Sequence, residues 1–282
     1  MPYTIPASFV KFLENITVGD QSATATGRRD SVVALLEKKL EVVEAFPTGS
    51  LVRRTALRGH ADVDVIVALH YSKHIQGKTP GQVLQLVQSA LSDYNAKIVK
   101  RNGQAVTLYF TTWPNVDVVP ASQAASNGVV VHYNIPDSVK GTWLSTNPAG
   151  HDSRVSAMTL EGRQMVRMIK AWNHSHSEFM RSFHIETLVL KVAATGDWTW
   201  ELYNYFKSAA ESLSQPLFHP DSLNGRVDEY LGQNEREALR SRLIDARDRT
   251  NVAWTIDYRK EDPKEAIRQL GIVFGDYFPP YG

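Results

Sequence analysis

Residues 61–69 alternate with a period of two, and this pattern constrains the chain more than any other. Ala61, Val63, Val65, Val67 and Leu69 fall on one side, while Asp62, Asp64, Ile66 and Ala68 fall on the other. The segment reads as a β-strand that is apolar except for two acids side by side on one face. Eleven residues separate the upstream pair Gly49-Ser50 from Asp62, and a short strand-like run, Val116-Asp117-Val118-Val119, carries a third acid downstream.

The surrounding pattern alternates helices and strands. Val33, Leu36, Leu40 and Val43 recur at three- and four-residue intervals, so the spacing predicts an amphipathic helix over 30–45, with Asp30 as N-cap and Pro47 ending it. A second helix is expected over 80–94, on the stripe Val83, Leu86, Val87 and Leu91. The runs 97–100 and 105–110 flank Asn102-Gly103, a hairpin signal. A further strand is expected from Gly128 to Ile135, closed by Pro136-Asp137. Beyond Pro148 the periodicity turns helical. Met165, Met168, Ile169 and Trp172 form one stripe, Ile185, Leu188, Val189 and Val192 a second, and Leu239, Leu243, Ala246 and Val252 a third. The last helix is expected to open at Asp262-Pro263, where proline suits the first turn. The chain therefore reads as an α/β N-terminal part, 1–145, followed by a helical part, 146–282.

Composition narrows the function classes. Apolar residues make up 43% and charged residues 22% of 282 residues, as in an ordinary soluble protein. No apolar run is long enough to span a bilayer. The opening Met1-Pro2-Tyr3-Thr4-Ile5-Pro6 lacks the basic and apolar regions of a signal peptide, and with no cysteine in the chain a cytoplasmic location is expected. Thirty-one basic and 30 acidic residues give a net charge of +1, which argues against a strongly electropositive nucleic-acid coat and favours a small nucleotide as substrate.

The three acids suit one chemistry in particular. Joining nucleotides requires an attacking hydroxyl, an α-phosphorus and a departing pyrophosphate to be held in line, and two Mg2+ (or Mn2+) ions can serve both ends of that transfer. Asp62 and Asp64 on one strand stand roughly 6.5–7 Å apart at Cα, and Asp117 on a neighbouring strand would complete the ligand set. Gly49 permits close backbone approach to a triphosphate, and Ser50 can donate a hydrogen bond to it. Alone, an Asp-x-Asp is usually a solvated sheet face and a Gly-Ser usually a loop. The ordered combination of helix, Gly-Ser, eleven residues, Asp-Val-Asp and then Val-Asp-Val is what points to catalysis.

The stretch from Pro47-Thr48-Gly49-Ser50 to Asp62-Val63-Asp64-Val65 resembles the signature of the DNA-polymerase-β-type nucleotidyltransferase superfamily. Thr55-Ala56-Leu57-Arg58-Gly59 resembles its bacterial cGAS/DncV-like members, the CD-NTases. So do Ser145-Thr146-Asn147-Pro148 with His151, Lys170-Ala171-Trp172 with Ser182-Phe183-His184, and His219-Pro220. The resemblance implies a polymerase-β-like core, a mixed sheet with flanking helices, plus a helical lobe closing a central cleft. It also implies synthesis of a cyclic di- or trinucleotide second messenger from nucleoside triphosphates, ATP among them, in anti-phage signalling. In the family pattern Lys170 and Ser182 reach phosphate and Phe183 stacks on a base; the bland alternative is a solvated lysine and a core phenylalanine. Some uridine-using relatives carry an asparagine on the helix of Lys170, and Asn173 lies nearby. Arg53, Arg54 and Arg58 are read either as triphosphate contacts or as a solvated loop. His151, His174, His176 and His184 are not expected to bind zinc, and no DNA-reading zinc element is expected. A regulatory protein partner is left open. Two other readings stand beside this one: nucleotidyl transfer to an RNA end or a protein acceptor, and a non-catalytic nucleotide-binding module.

Overall fold

The computed structural model describes residues 4–19, 22–126, 131–220 and 225–282. The chain divides into two compact units, one formed by Val18–Arg154 and the other by Met1–Thr17 with Val155–Gly282. The opening helix α1 (Ile5–Ile16) thus belongs with the C-terminal elements and not with the sheet.

The first unit is built on a seven-stranded mixed sheet. Its strands are β1 (Val42–Thr48), β2 (Val63–Leu69), β3 (Ile98–Asn102), β4 (Ala105–Tyr109), β5 (Val116–Ser126), β6 (Val131–Asp137) and β7 (Thr142–Thr146). The main path runs β1-β2-β5-β4-β3; β6 pairs with the far half of β5 and β7 pairs with β6. Among the described residues only the β2–β5 pair is parallel. The alternation of β2 is realised on both faces. Val63, Val65, Val67 and Leu69 enter the main core with Val106, Leu108, Val116 and Val118, covered by α2 (Ser22–Lys39) and α4 (Pro80–Ala90). On the opposite face Ile66 and Ala68 join Ala121, Tyr133 and Phe46 in a smaller cluster.

Two sequence expectations need correction here. The helix predicted over 30–45 is α2, which begins at Ser22 and ends at Lys39, so Asp30 lies inside it and is no cap. Residues 42–48 are strand β1, because Val43, which fits the helical spacing, is instead an exposed strand residue. Pro47 sits within this strand, opposite Val65. β1 is at the end of the main path, where a missing N–H costs no inner ladder bond. Of the strand expected from Gly128, residues 128–130 lie outside the described residues, and the remainder is β6. The hairpin forms as read, with Asn102 paired to Ala105 and Gly103 at φ 62°.

The second unit is helical: α1, α6 (Leu160–Ser175), α7 (Ser182–Val189), α8 (Trp198–Ser212), α9 (Gln233–Arg259) and α10 (Pro263–Phe274). α10 is capped as its sequence predicts, the Asp262 carboxylate accepting from the Lys264 N–H. The rings of Phe9 and Phe12 on α1 pack with Phe274 and Phe278 at centroid distances of 4.6–5.4 Å. In α9 the buried stripe is Leu239, Leu243, Ala246, Thr250, Ala253 and Ile256. Val252, expected on that stripe, is exposed. Between β7 and the second unit lies α5 (Pro148–Ser156).

Candidate active site

Strand register assembles the acids. Asp64 pairs with Asp117 across the parallel β2–β5 ladder, Thr48 pairs with Asp64 on one side, and Thr107 pairs with Asp117 on the other. Residues directly opposite in a ladder share a face. One row across four adjacent strands therefore reads Thr48, Asp64, Asp117, Thr107. Asp62 lies two residues before Asp64, just ahead of β2.

Two of the three carboxylates are held by named side-chain donors. Thr107 Oγ1 donates to Asp117 Oδ1 at 2.5 Å, and Asn115 Nδ2 donates to Asp62 Oδ1 at 3.1 Å. Asn115 is itself fixed, its Oδ1 accepting from the Phe110 N–H. The segments entering β2 and β5 are tied together by the Trp113 indole N–H donating to Ala61 O at 2.7 Å and the Val63 N–H donating to Asn115 O at 3.0 Å. Arg28 of α2 braces the loop from below. It donates to Thr112 O and Pro114 O and lies 4.1 Å from the Phe110 ring centroid.

Burial and like charge set the electrostatics. Burial pushes the Asp62 carboxyl above its ordinary range, the negative charge of Asp117 pushes it further, and the Asn115 bond opposes both. Burial also raises Asp117, against the pull of the Thr107 hydrogen bond. Among the described residues no group of three or more His, Cys, Asp or Glu side chains is closed on one point in the manner of a metal cage.

The Gly49-Ser50 turn sits against this row. β1 leads into a single helical turn, α3 (Gly49–Val52), and Gly49 adopts φ +86°. A Cβ at position 49 would lie 1.8 Å from Asp64 Oδ2, so the Asp64 carboxylate rests directly on the glycine. Of the basic residues that follow, Arg53 is buried, and its Nη1 donates to Asp152 Oδ1 at 2.7 Å. Neither side of the sequence reading, a triphosphate contact or a solvated loop, describes that contact. Thr107, Asn115 and Asp152 were not singled out by the motif, since single Thr, Asn and Asp residues far apart in sequence carry no spacing signal.

The residues of the helical unit are arranged differently from a solvated surface. Lys170 is buried, and its Nζ lies 2.9 Å from Glu186 Oε1, whose side chain is fully buried. Ser182 opens α7 and is exposed. Phe183 is half-buried and stacks on His219, with centroids 4.8 Å apart and planes at 22°. The pairing of Phe183 with His219 was not anticipated, although both positions stand in the resembling stretches. Asn173 spends its side-chain amide on the backbone of Met180, donating to its carbonyl at 2.8 Å and accepting from its N–H at 2.9 Å. The histidines find protein partners: His174 meets Tyr277 and Glu178, His176 the Trp172 carbonyl, and His184 the Tyr230 hydroxyl. No helix among the described residues is long and apolar enough to cross a membrane.

Comparison with known proteins identifies the family and the fold. Residues 3–158 match the model of the Second Messenger Oligonucleotide or Dinucleotide Synthetase domain. A Bacillus cereus (strain VD146) protein described as a "probable cyclic nucleotide synthase" is 25% identical, the match covering 100% of this chain and 99% of the relative. Among solved structures, the Bradyrhizobium diazoefficiens CD-NTase CdnG in complex with GTP superposes with a TM-score of 0.78 at 14% identity, covering 98% of both chains. Escherichia coli MS115-1 CdnC with ATP gives 0.77 at 19% identity, covering 96% of this chain and 98% of CdnC. The fold is the mixed α/β fold of these enzymes. The chain belongs to the Second Messenger Oligonucleotide or Dinucleotide Synthetase domain family, the CD-NTases, and is a nucleotidyltransferase of the cyclic-nucleotide-synthase type.

Proposed function

We propose that the chain joins nucleoside triphosphates, ATP among them, into a cyclic di- or trinucleotide that serves as a second messenger in bacterial anti-phage defence, acting in the cytoplasm. Asp62, Asp64 and Asp117 are the acids of transfer, and Gly49-Ser50 seats the donor triphosphate. The observation that carries this reading is the register of Asp64 with Asp117, together with the contact of the Asp64 carboxylate on Gly49.

The donor set fits divalent cations. Three carboxylates offer only hard oxygen ligands, the preference of Mg2+ and Mn2+. Two of them are raised by burial, Asp62 further by the like charge of Asp117, an imbalance that a cation corrects. Asp62, Asp64 and Asp117 would hold two such ions, which when bound supply positive charge to the triphosphate and make the acceptor hydroxyl more acidic. The chain's own residues do the rest. Gly49 leaves room for phosphate oxygens, and Ser50 offers a hydroxyl donor. Asp117 stands on the side of Asp64 away from the turn, where the acceptor hydroxyl enters. That hydroxyl bonds to the α-phosphorus, the bond to the β-phosphate bridging oxygen breaks, pyrophosphate departs, and the proton passes to solvent or a carboxylate. A second such transfer closes a dinucleotide ring, and a third closes a trinucleotide ring, each releasing one pyrophosphate.

In the helical unit, Lys170 serves phosphate as a cation, Ser182 donates to phosphate, and Phe183 stacks on a base. The split expected from the sequence at 145/146 becomes a catalytic unit, Val18–Arg154, and a helical unit, Met1–Thr17 with Val155–Gly282. Incubation with all four nucleoside triphosphates and Mg2+ or Mn2+ tests the reading, followed by phosphatase, nuclease P1 and mass spectrometry. A phosphatase-resistant cyclic product is expected. A phosphatase-sensitive linear product, or labelling only in the presence of an RNA or protein acceptor, contradicts cyclisation. Because CdnC has been solved in complex with HORMA-deltaN, candidate protein partners from the same genomic source form the second arm of the assay.

A further inference from the structure

One carboxylate grips both ends of the Gly49-Ser50 turn. Asp152, on α5, accepts from Thr48 Oγ1 at 2.9 Å with one oxygen and from Arg53 Nη1 at 2.7 Å with the other. Thr48 is the last residue of β1, immediately before the turn, and Arg53 is the residue immediately after it. The Arg53 N–H also donates to Gly49 O at 3.1 Å, closing the turn from within. The ion pair is sheltered, with side-chain exposures of 10% for Arg53 and 15% for Asp152. Such a pair holds its geometry better than a surface pair, and removing one member leaves an uncompensated charge in a dry setting.

The clearance that this grip maintains is small. Thr48 stands in register with Asp64, and the Asp64 carboxylate lies where a Cβ of Gly49 would be. A slight advance of the turn collides with that carboxylate, and a slight retreat opens the gap between phosphate seat and acids. We infer that Asp152, acting through Thr48 and Arg53, is a positioning residue that sets the distance between the triphosphate seat and Asp64. Arg53 then serves as a brace for the turn and not as a phosphate ligand. This inference rests on the reading of Gly49-Ser50 as the triphosphate seat.

The test compares wild type with Asp152→Asn and Thr48→Val, each checked for folding by thermal melting. Asp152→Asn keeps the shape and loses the charge on Arg53's partner. Thr48→Val suits a β-strand and loses one hydrogen bond. Binding of non-hydrolysable α,β-methylene nucleoside triphosphates is measured beside binding of the matching nucleosides, together with kcat and KM for transfer. The expected result for Asp152→Asn is weakened triphosphate affinity with nucleoside affinity unchanged, and a fall in kcat of about 10²-fold, the cost of misplacing reacting groups by about 1 Å. Thr48→Val shows the same split to a smaller degree, and it decides the matter if Asp152→Asn fails to fold. Wild-type triphosphate affinity and turnover in a folded variant overturns the inference, as do equal losses for triphosphate and nucleoside. Asp64→Asn, run in parallel, separates the two levels. If it turns over like wild type, the site reading itself falls. If it is inactive while the other variants match wild type, only the positioning role falls.

Discussion

The Asp64 carboxylate occupies the space in which a side chain at position 49 would begin, with Oδ2 1.8 Å from the ideal Cβ position. Gly49 also holds φ +86°, a conformation that costs any other residue about 1–3 kcal/mol. Gly49→Ala therefore strains the backbone and displaces Asp64 together. Transfer should fall by at least about 10²-fold, with a lowered melting temperature, read by product formation and calorimetry on the same preparation. By contrast, Gly59, also at positive φ, has open space around its Cβ, so Gly59→Ala carries backbone strain alone and leaves transfer within a few-fold of wild type.

Asp117 and Asp62 place the site under electrostatic strain. Both carboxyls are raised by burial, and Asp62 further by the charge of Asp117. A carboxyl with a raised folded-state pKa favours the folded state only below its unfolded value, and that benefit is lost as pH rises through the folded value. At neutral pH these ionised groups oppose folding. Asp117→Asn should accordingly melt at a higher temperature than wild type in metal-free buffer while losing transfer activity. A structural role for Asp117 gives the opposite sign, a lowered melting temperature.

Lys170 and Glu186 form a buried pair at 2.9 Å. Breaking it from one side strands a charge, so Lys170→Met or Glu186→Met should destabilise by about 3–5 kcal/mol. The double variant Lys170→Met/Glu186→Met should cost less than the sum of the two, because neither charge is then orphaned. Denaturant unfolding of the four proteins in the cycle measures this. Additive losses would contradict the pairing.

His184 is buried, and burial lowers its pKa to about 4 in spite of the nearby Asp228 charge; Arg236 lowers it further. Its imidazole meets the Tyr230 hydroxyl at 2.9 Å. A histidine with a depressed folded-state pKa contributes stability that is fully present above its unfolded value near 6.5 and lost as pH falls toward 4. The loss over that window is about 3 kcal/mol at 1.36 kcal/mol per pKa unit. Unfolding free energies between pH 7 and pH 4 should fall more steeply in wild type than in His184→Gln. Equal slopes would refute the assignment.

Strand β2 was readable because its determinants are local. A period of two fixes which way Asp62 and Asp64 point, and no distant residue is needed to see it. The hairpin at Gly103 and the cap at Asp262 are legible for the same reason. β1 was misread because Val43 continues the spacing of Val33, Leu36 and Leu40, and because Pro47 looks like a terminator until one knows that the strand lies at the end of the sheet path. The helices α1 and α8 went unread, since α1 finds its partners in α6 and α10, more than a hundred residues away. At the site, the three aspartates and Gly49-Ser50 carry a spacing signature. The residues that hold them, Thr107, Asn115, Arg53 and Asp152, are assembled by strand register and loop packing, which one sequence does not encode in any local pattern. Lys170 was visible as a motif position, but its buried partner Glu186 was not, because the pair spans two helices.

Pyrophosphate release from a mixture of the four nucleoside triphosphates and Mg2+, compared between wild type and a folded Asp64→Asn variant, tests the role of the acids most directly. Loss of release in the variant, with a cooperative melting transition retained, is the predicted result. Release at the wild-type rate from Asp64→Asn would contradict the assignment of this sheet row as the transfer site.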